Sequence, residues 1–222
     1  MAGGPFDPGF DDLPETIPIF PLASALLLPG GRLPLNVFEP RYLAMVADAL
    51  KSDRIIGMIQ PTEPEFAGAM PQVEEIGCAG RIVSFSETAG GKYFITLRGL
   101  IRFKAGDEIR TVGGYRRVVA HWQSFESDMT EPTGVTYDRD RLEKAARRYF
   151  IQQNMQLDVD AIDKLDDVSL VTALSMLCPF ETIEKQALLE APDHIKRAQL
   201  LTGLIEMAAA GGTGDSDQQR RH

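Results

Sequence analysis

The sequence predicts an α+β fold: a closed or half-closed β-barrel, interrupted by one helix, with a small helical bundle after it. Three observations carry that expectation. Up to about residue 123 the apolar runs are short and punctuated by Gly and Pro, as strands are. From residue 139 the apolar positions recur at helical spacing instead. Between the two, residues 124–138 (SFESDMTEPTGVTYD) are polar, acidic and broken by Pro and Gly, the composition of a boundary between folded units.

Residues 17–20, 33–37 and 54–60 are brief apolar runs bounded by prolines, glycines or charge, and each reads as a strand. Residues 40–50 (PRYLAMVADAL) place Pro in a first helical turn and Tyr42, Met45, Val46 and Ala49 at i, i+3, i+4 and i+7. That stripe predicts a helix seated on the barrel. Residues 93–98 alternate, with Tyr93, Ile95 and Leu97 on one face, and the Gly90-Gly91 turn before them predicts a hairpin with residues 81–85. Gly113-Gly114 precedes a further β-rich segment, 115–122. Five or six strands in about a hundred residues suit a barrel.

In the second half, Leu142, Ala145, Ala146, Tyr149 and Phe150 form one helical stripe. Leu170, Val171, Leu174 and Leu177 form another, closed by Pro179. Residues 183–189 read as a shorter helix, and a last one starts at Pro192 and buries Leu201, Leu204, Ile205 and Ala208. The expected organisation is therefore a disordered N-terminus (1–15), a barrel (16–123), a linker (124–138), a helical unit (139–209) and a disordered tail (210–222).

Of the 222 residues, 44% are hydrophobic and 25% charged, which suits a globular chain. No apolar run approaches the ~20 residues that span a bilayer. Residues 1–12 carry acidic groups and no basic stretch ahead of an apolar one, so no signal peptide is read and the cytoplasm is the expected compartment. A net charge of −9 repels nucleic-acid backbones unless a local basic patch overrides it. Arg139, Arg141, Lys144, Arg147 and Arg148 cluster, but Asp138, Asp140 and Glu143 interleave them, as on a solvated helix face.

Catalysis needs converging groups, and the sequence offers none. Gly91-Lys92 lacks the spacing and hydroxyl of a phosphate-cradling loop. No serine lies in a G-x-S-x-G turn or an S-x-x-K pair. His121, His194 and His222 are isolated from one another, and Cys78 and Cys178 have no CxxC partner or nearby histidine to build a zinc site. Both cysteines sit among apolar neighbours and read as buried thiols. Adjacent acids such as Glu74-Glu75 point apart on a strand or helix and make no dyad. No cofactor or metal is expected.

A long motif stands out in the first quarter of the chain: Pro21-Leu22, then Leu28-Pro29, then Leu33-Pro34-Leu35-Asn36-Val37-Phe38-Glu39-Pro40-Arg41-Tyr42. A second lies at Leu177-Cys178-Pro179-Phe180 and Glu184-Lys185-Gln186, continuing to Leu188-Leu189, with Arg197 and Leu200-Leu201 beyond. Together these resemble the Lon N-terminal (substrate-binding) domain family across nearly the whole chain. The resemblance implies a PUA-like pseudo-barrel followed by a small helical bundle, and a part in recognising protein substrates. Full-length Lon continues into a nucleotide-binding module and a Ser-Lys protease, so the chain is expected to be a stand-alone, non-catalytic member. Within the motifs the prolines read as setting turns and strand edges. Leu22, Leu35 and Phe38 read as core, with Phe38 filling the junction of strand and helix, and Glu39 as favouring the helix start beside Arg41.

The functional expectation is a polypeptide-binding module for unfolded or extended chains, acting with a protease or chaperone partner in protein quality control. A barrel and a bundle joined by a linker form a cleft, and extended peptides dock in apolar clefts or on exposed strand edges. The candidate contact residues are the aromatics whose strand phase leaves them unburied: Phe85, Tyr93, Phe94 and Trp122. The rival expectation is RNA binding, since PUA-like barrels often serve it, but the acidity and the lack of an aromatic-plus-basic stripe weigh against it. A small-molecule hydrolase, without nucleophile or base, ranks last.

Overall fold

A computed structural model of the chain describes residues 8–23, 25–63, 70–88, 90–109, 113–130, 132, 134, 136–155 and 162–211. Most of the two expected tails, 1–7 and 212–222, therefore falls outside the described residues. The chain divides into two compact units, Met1–Glu131 and Pro132–His222.

The first unit holds β1 (Thr16–Pro21), β2 (Arg32–Val37), β3 (Ile55–Ile59), β4 (Ile76–Thr88), β5 (Lys92–Ile109) and β6 (Arg116–His121), with α1 (Pro40–Leu50) between β2 and β3. The strand order is β2-β5-β4-β3-β1-β6, and β5 pairs a second time with β6. Five strands therefore close into a ring, and β2 is attached outside it. The length of β5 makes this possible. Its first part, residues 93–98, runs between β2 and β4, and its last part, from Lys104 to Ile109, pairs with β6. Among the described residues only β1 and β3 are parallel, with Ile19 opposite Gly57.

Ile17, Ile19, Ile101, Phe103, Val118 and Trp122 fill the barrel interior. The Phe103 ring lies against the bare backbones of Gly57 and Gly77, where a β-carbon would come within 2.8 and 2.6 Å of it. The expected hairpin forms, with Thr88 opposite Lys92 across a turn in which Gly90 and Gly91 have φ of +91° and +73°. A side chain is strained at such φ, which is why two glycines stand there. On α1, Tyr42, Met45, Val46 and Ala49 are the buried residues, the stripe that the spacing predicted.

β4 and β5 run well past the alternating segments read from the sequence. Arg102 shows how charge hid that length. Its guanidinium is buried in the strand and gripped by Asp128, with Nε donating to Oδ2 and the terminal nitrogen to Oδ1 at 2.8 Å each. The Arg102 backbone N–H also donates to Oδ2, at 3.0 Å. Asp128 sits on a short 3-10 turn, Gln123–Met129, whose Phe125 and Met129 pack on the barrel core. Residues 123–129, most of which the sequence placed in a linker, are thus folded within the first unit.

The second unit comprises α2 (Arg139–Gln152), α3 (Asp167–Leu177), α4 (Thr182–Glu190) and α5 (His194–Gly211). Asp138 and Asp166 cap α2 and α3 by accepting the Arg141 and Ser169 N–H groups. Arg139 joins Glu143 on its own helix to Asp167 at the start of α3. Leu177, expected in the α3 stripe, is instead 53% exposed, because the helix ends there and Cys178 turns inward in its place. Leu204 and Ala208 are half-buried, whereas Leu201 and Ile205 are buried. No helix of the described residues is long and apolar enough to cross a membrane.

The Arg102–Asp128 pair is 5% and 8% exposed, so removing one partner strands the other charge out of water. Asp128→Ala is expected to destabilise the chain by about 3–5 kcal/mol in a denaturant titration. A change within about 0.5 kcal/mol, as at an ordinary surface site, would show that the pair does not hold the turn to the barrel.

Candidate functional site

Beyond Ile82 every described residue of β4 is exposed, so the β4–β5 hairpin projects from the ring with β2 alongside it. This three-stranded ribbon carries an unusual set of apolar groups for a solvated surface. Phe85 is 42% exposed, Phe94 37% and Phe38 63%. Tyr93 is half-buried and meets the Phe85 ring edge-on, with centroids 5.0 Å apart. The register explains the arrangement. Val37, Tyr93 and Glu87 lie opposite one another and face one side, together with Phe85, Ile95 and Leu35. Asn36, Phe94 and Ser86 face the other. Val83, 40% exposed, is the extra residue of a β-bulge between Ile82 and Ser84.

Three of the four aromatics picked from the sequence therefore lie on this ribbon, and the fourth does not. Trp122 is 6% exposed: its ring packs against Phe103 at 5.9 Å and its indole N–H donates to the Pro14 carbonyl. The correction follows from strand parity, since Val118, Ala120 and Trp122 share the inward face of β6 and the residue just past it. Phe38 is corrected the other way. Leu35 and Val37 point inward, so one further residue along β2 turns outward, and Phe38 does not fill the junction with α1. Tyr42 occupies that place, with its ring 4.2 Å from Phe20.

The remaining motif residues do structural work. Pro21 ends β1 opposite Ile59, Pro29 is buried in the following loop, and Pro34 lies on β2 opposite Thr96. Leu35 is buried, while Leu22 and Leu33 are half-buried rather than core. Glu39 precedes α1 and accepts from Arg41 Nε at 3.0 Å, with the Arg41 guanidinium 4.5 Å above the Tyr42 ring. In the helical unit Glu184 accepts the Glu181 N–H at 2.9 Å and so caps α4. Lys185 is buried, and desolvation lowers its pKa; Leu188 and Leu189 belong to the core.

No other arrangement among the described residues suggests chemistry. No three His, Cys, Asp or Glu side chains converge to hold a metal. A groove of about 710 Å³ runs along α2 past Arg141, Lys144 and Arg148, but Glu206 closes on Arg141 with both carboxylate oxygens, at 2.8 and 2.7 Å. Cys78 and Cys178 are both buried, and desolvation pushes the Cys178 thiol up to about 12.

A family model described as the ATP-dependent protease La (LON) substrate-binding domain matches residues 16–207. Lon protease 2 of Myxococcus xanthus is 28% identical over 206 residues, covering 88% of this chain and 24% of that protein. Lon protease of Anaeromyxobacter dehalogenans is 32% identical over 96 residues, 42% of this chain and 11% of that protein. The chain thus spans a quarter or less of the length of these relatives. Among solved structures, a Lon N-terminal domain protein from Xanthomonas campestris superposes with a TM-score of 0.56 at 23% identity, over 85% of this chain and 97% of that one. The N-terminal domain of a Mycobacterium avium complex Lon protease gives 0.57 at 17% identity, over 86% and 97%. At these identities the likeness is one of fold.

Two outcomes test the placement of these side chains. Phe38→Ala is expected to leave stability within about 0.5 kcal/mol, whereas Trp122→Ala costs about 3–5 kcal/mol; the reverse ranking in thermal melts would restore Phe38 to the core. Neither cysteine is expected to be alkylated by iodoacetamide at pH 8 in the native protein, and both are after unfolding in guanidinium. Rapid labelling of native Cys178 would contradict its burial.

Proposed function

The chain belongs to the Lon substrate-binding domain family, and on that premise we propose that its β2–β5–β4 ribbon binds unfolded or extended polypeptides without altering them chemically. The observation that supports this reading is the exposure of Phe38, Phe85 and Phe94 on the two faces of one projecting ribbon, with Tyr93 beside Phe85. Aromatic rings bury about 150–250 Å² each when covered and are stiff, so they gain contact at low entropic cost. An unfolded chain supplies apolar side chains without needing a folded counterpart. The 222 residues hold neither a phosphate-binding loop nor a Ser-x-x-Lys pair, which favours holding a chain over cutting it. In this reading the protein serves protein quality control in the cytoplasm as an adaptor or chaperone-like element, passing bound polypeptide to a protease or chaperone.

Apolar contact depends weakly on salt, whereas phosphate contacts weaken steeply because each releases condensed counterions. A chain of net charge −9 is a poor partner for RNA on that ground.

Reduced, carboxymethylated α-lactalbumin is expected to bind with a Kd on the order of 1 μM, ~−8 kcal/mol, and not to weaken as salt is raised from low to moderate, because salt screens the repulsion between two acidic chains. Replacing Phe38, Phe85 and Phe94 by Ser together should weaken it at least about tenfold, ~1.4 kcal/mol, with the melting temperature kept. Undiminished binding by the triple variant would refute the ribbon as the site.

A further inference from the structure

The ribbon has an open side. Among the described residues β2 pairs with β5 alone. The Gly99 N–H donates to the Gly31 carbonyl, so in the register that follows, Leu33, Leu35 and Val37 exchange hydrogen bonds with β5. Arg32, Pro34 and Asn36 consequently turn their backbone groups away from it. The open edge offers carbonyl acceptors at all three positions and N–H donors at Arg32 and Asn36 only, because Pro34 has none. That is room for a short added strand, and the missing donor keeps the pairing brief and reversible.

Side chains on such a strand would alternate between the two faces that flank β2. Leu33, Leu35 and Val37 make one flank apolar. The other is polar and carries arginine. Arg32 lies opposite Arg98, and Arg98 opposite Arg81, so three arginines form one row across β2, β5 and β4. The other six positions of that face, Pro34, Thr96, Ser84, Asn36, Phe94 and Ser86, include no acid. Asp12 and Asp53 line a pocket with Arg81 at the far end of the row, so Arg32, exposed at the open edge, is the cation that an added strand would meet.

We propose that the open edge of β2 accepts an acidic, extended polypeptide segment as an added strand, with one of its carboxylates set against Arg32. The proposal rests on the ribbon being the polypeptide-binding surface and specifies which polypeptides it prefers. A strand in register would pair apolar residues with the Leu33 flank and, at the position opposite Arg32, place an Asp or Glu side chain at cross-strand distance, ~5 Å between β-carbons. Since side chains alternate, moving the acid by one position carries it to the apolar flank.

Three nine-residue peptides test this by fluorescence anisotropy at low and moderate salt. The first alternates Val with polar residues and carries Glu at the central polar position; the second has Gln there; the third has the Glu moved one place onto an apolar position. The first is expected to bind about fivefold more tightly than the second, the upper end for an opposite-charge cross-strand pair, and more tightly still than the third. Arg32→Gln should abolish the difference between the first two. Equal affinities for the three peptides, while α-lactalbumin still binds, would overturn the acidic preference and leave Arg32 as a guard against edge-to-edge aggregation. Loss of α-lactalbumin binding as well would instead refute the ribbon reading beneath it. Displacement of the first peptide by single-stranded RNA through an Arg32-dependent site would assign the row to phosphates and also overturn the proposal.

Discussion

The Phe103 ring occupies the middle of the barrel, and the strands around it close only because Gly57 and Gly77 give it their backbones to lie on, where a β-carbon would come within 2.8 and 2.6 Å. This contact decides more than the core. With Phe103 held in place against Trp122, the last part of β5 stays in the ring, paired to β6. The first part is then committed beyond the ring, with β4 on one side and β2 on the other. The ribbon is therefore a consequence of closure: a strand of 18 residues is longer than the ring can use, and the surplus projects. What projects buries Leu35, Val37 and Ile95 and leaves Phe85 and Phe94 exposed.

Much of this was legible in the sequence because it follows from spacing. The helix over 40–50, the Gly90-Gly91 hairpin and the change to helical period after residue 138 each depend on local residues. The full lengths of β4 and β5 were not legible. Arg102 interrupts β5 with a charge that ordinarily marks an exposed position, and its burial is intelligible only once Asp128, 26 residues later, is known to reach it. The side-chain placements were legible in principle. Phe38 and Trp122 both obey the two-residue alternation of their strands, carried one step past the end. Assigning Phe38 to the helix junction and Trp122 to the surface let chemical type outweigh parity. Phe85, Tyr93 and Phe94 were identifiable as a set, but the free edge beside them depends on β2 pairing with the first part of β5, a contact of long sequence separation.

An exposed aromatic ribbon with an open edge is a hazard as well as a site, because unpaired strand edges template aggregation. The chain carries two devices against it at the open edge itself. Pro34 withholds an N–H in the middle of β2, and Arg32 sets a charge at its start. Both limit how far any strand can pair, which suits transient holding of many chains better than tight capture of one. In the helical unit the arginines of α2 are answered locally, Arg139 by Glu143 and Asp167 and Arg141 by Glu206.

The central claim is that polypeptide is held on the ribbon. Amide hydrogen exchange read by mass spectrometry, with and without saturating carboxymethylated α-lactalbumin, locates the contact directly. The account predicts slowed exchange in peptides covering 32–38 and 84–95, with the barrel strands β1, β3 and β6 unchanged. Binding accompanied by protection confined to residues 139–211, with the ribbon exchanging as in the free protein, would contradict it.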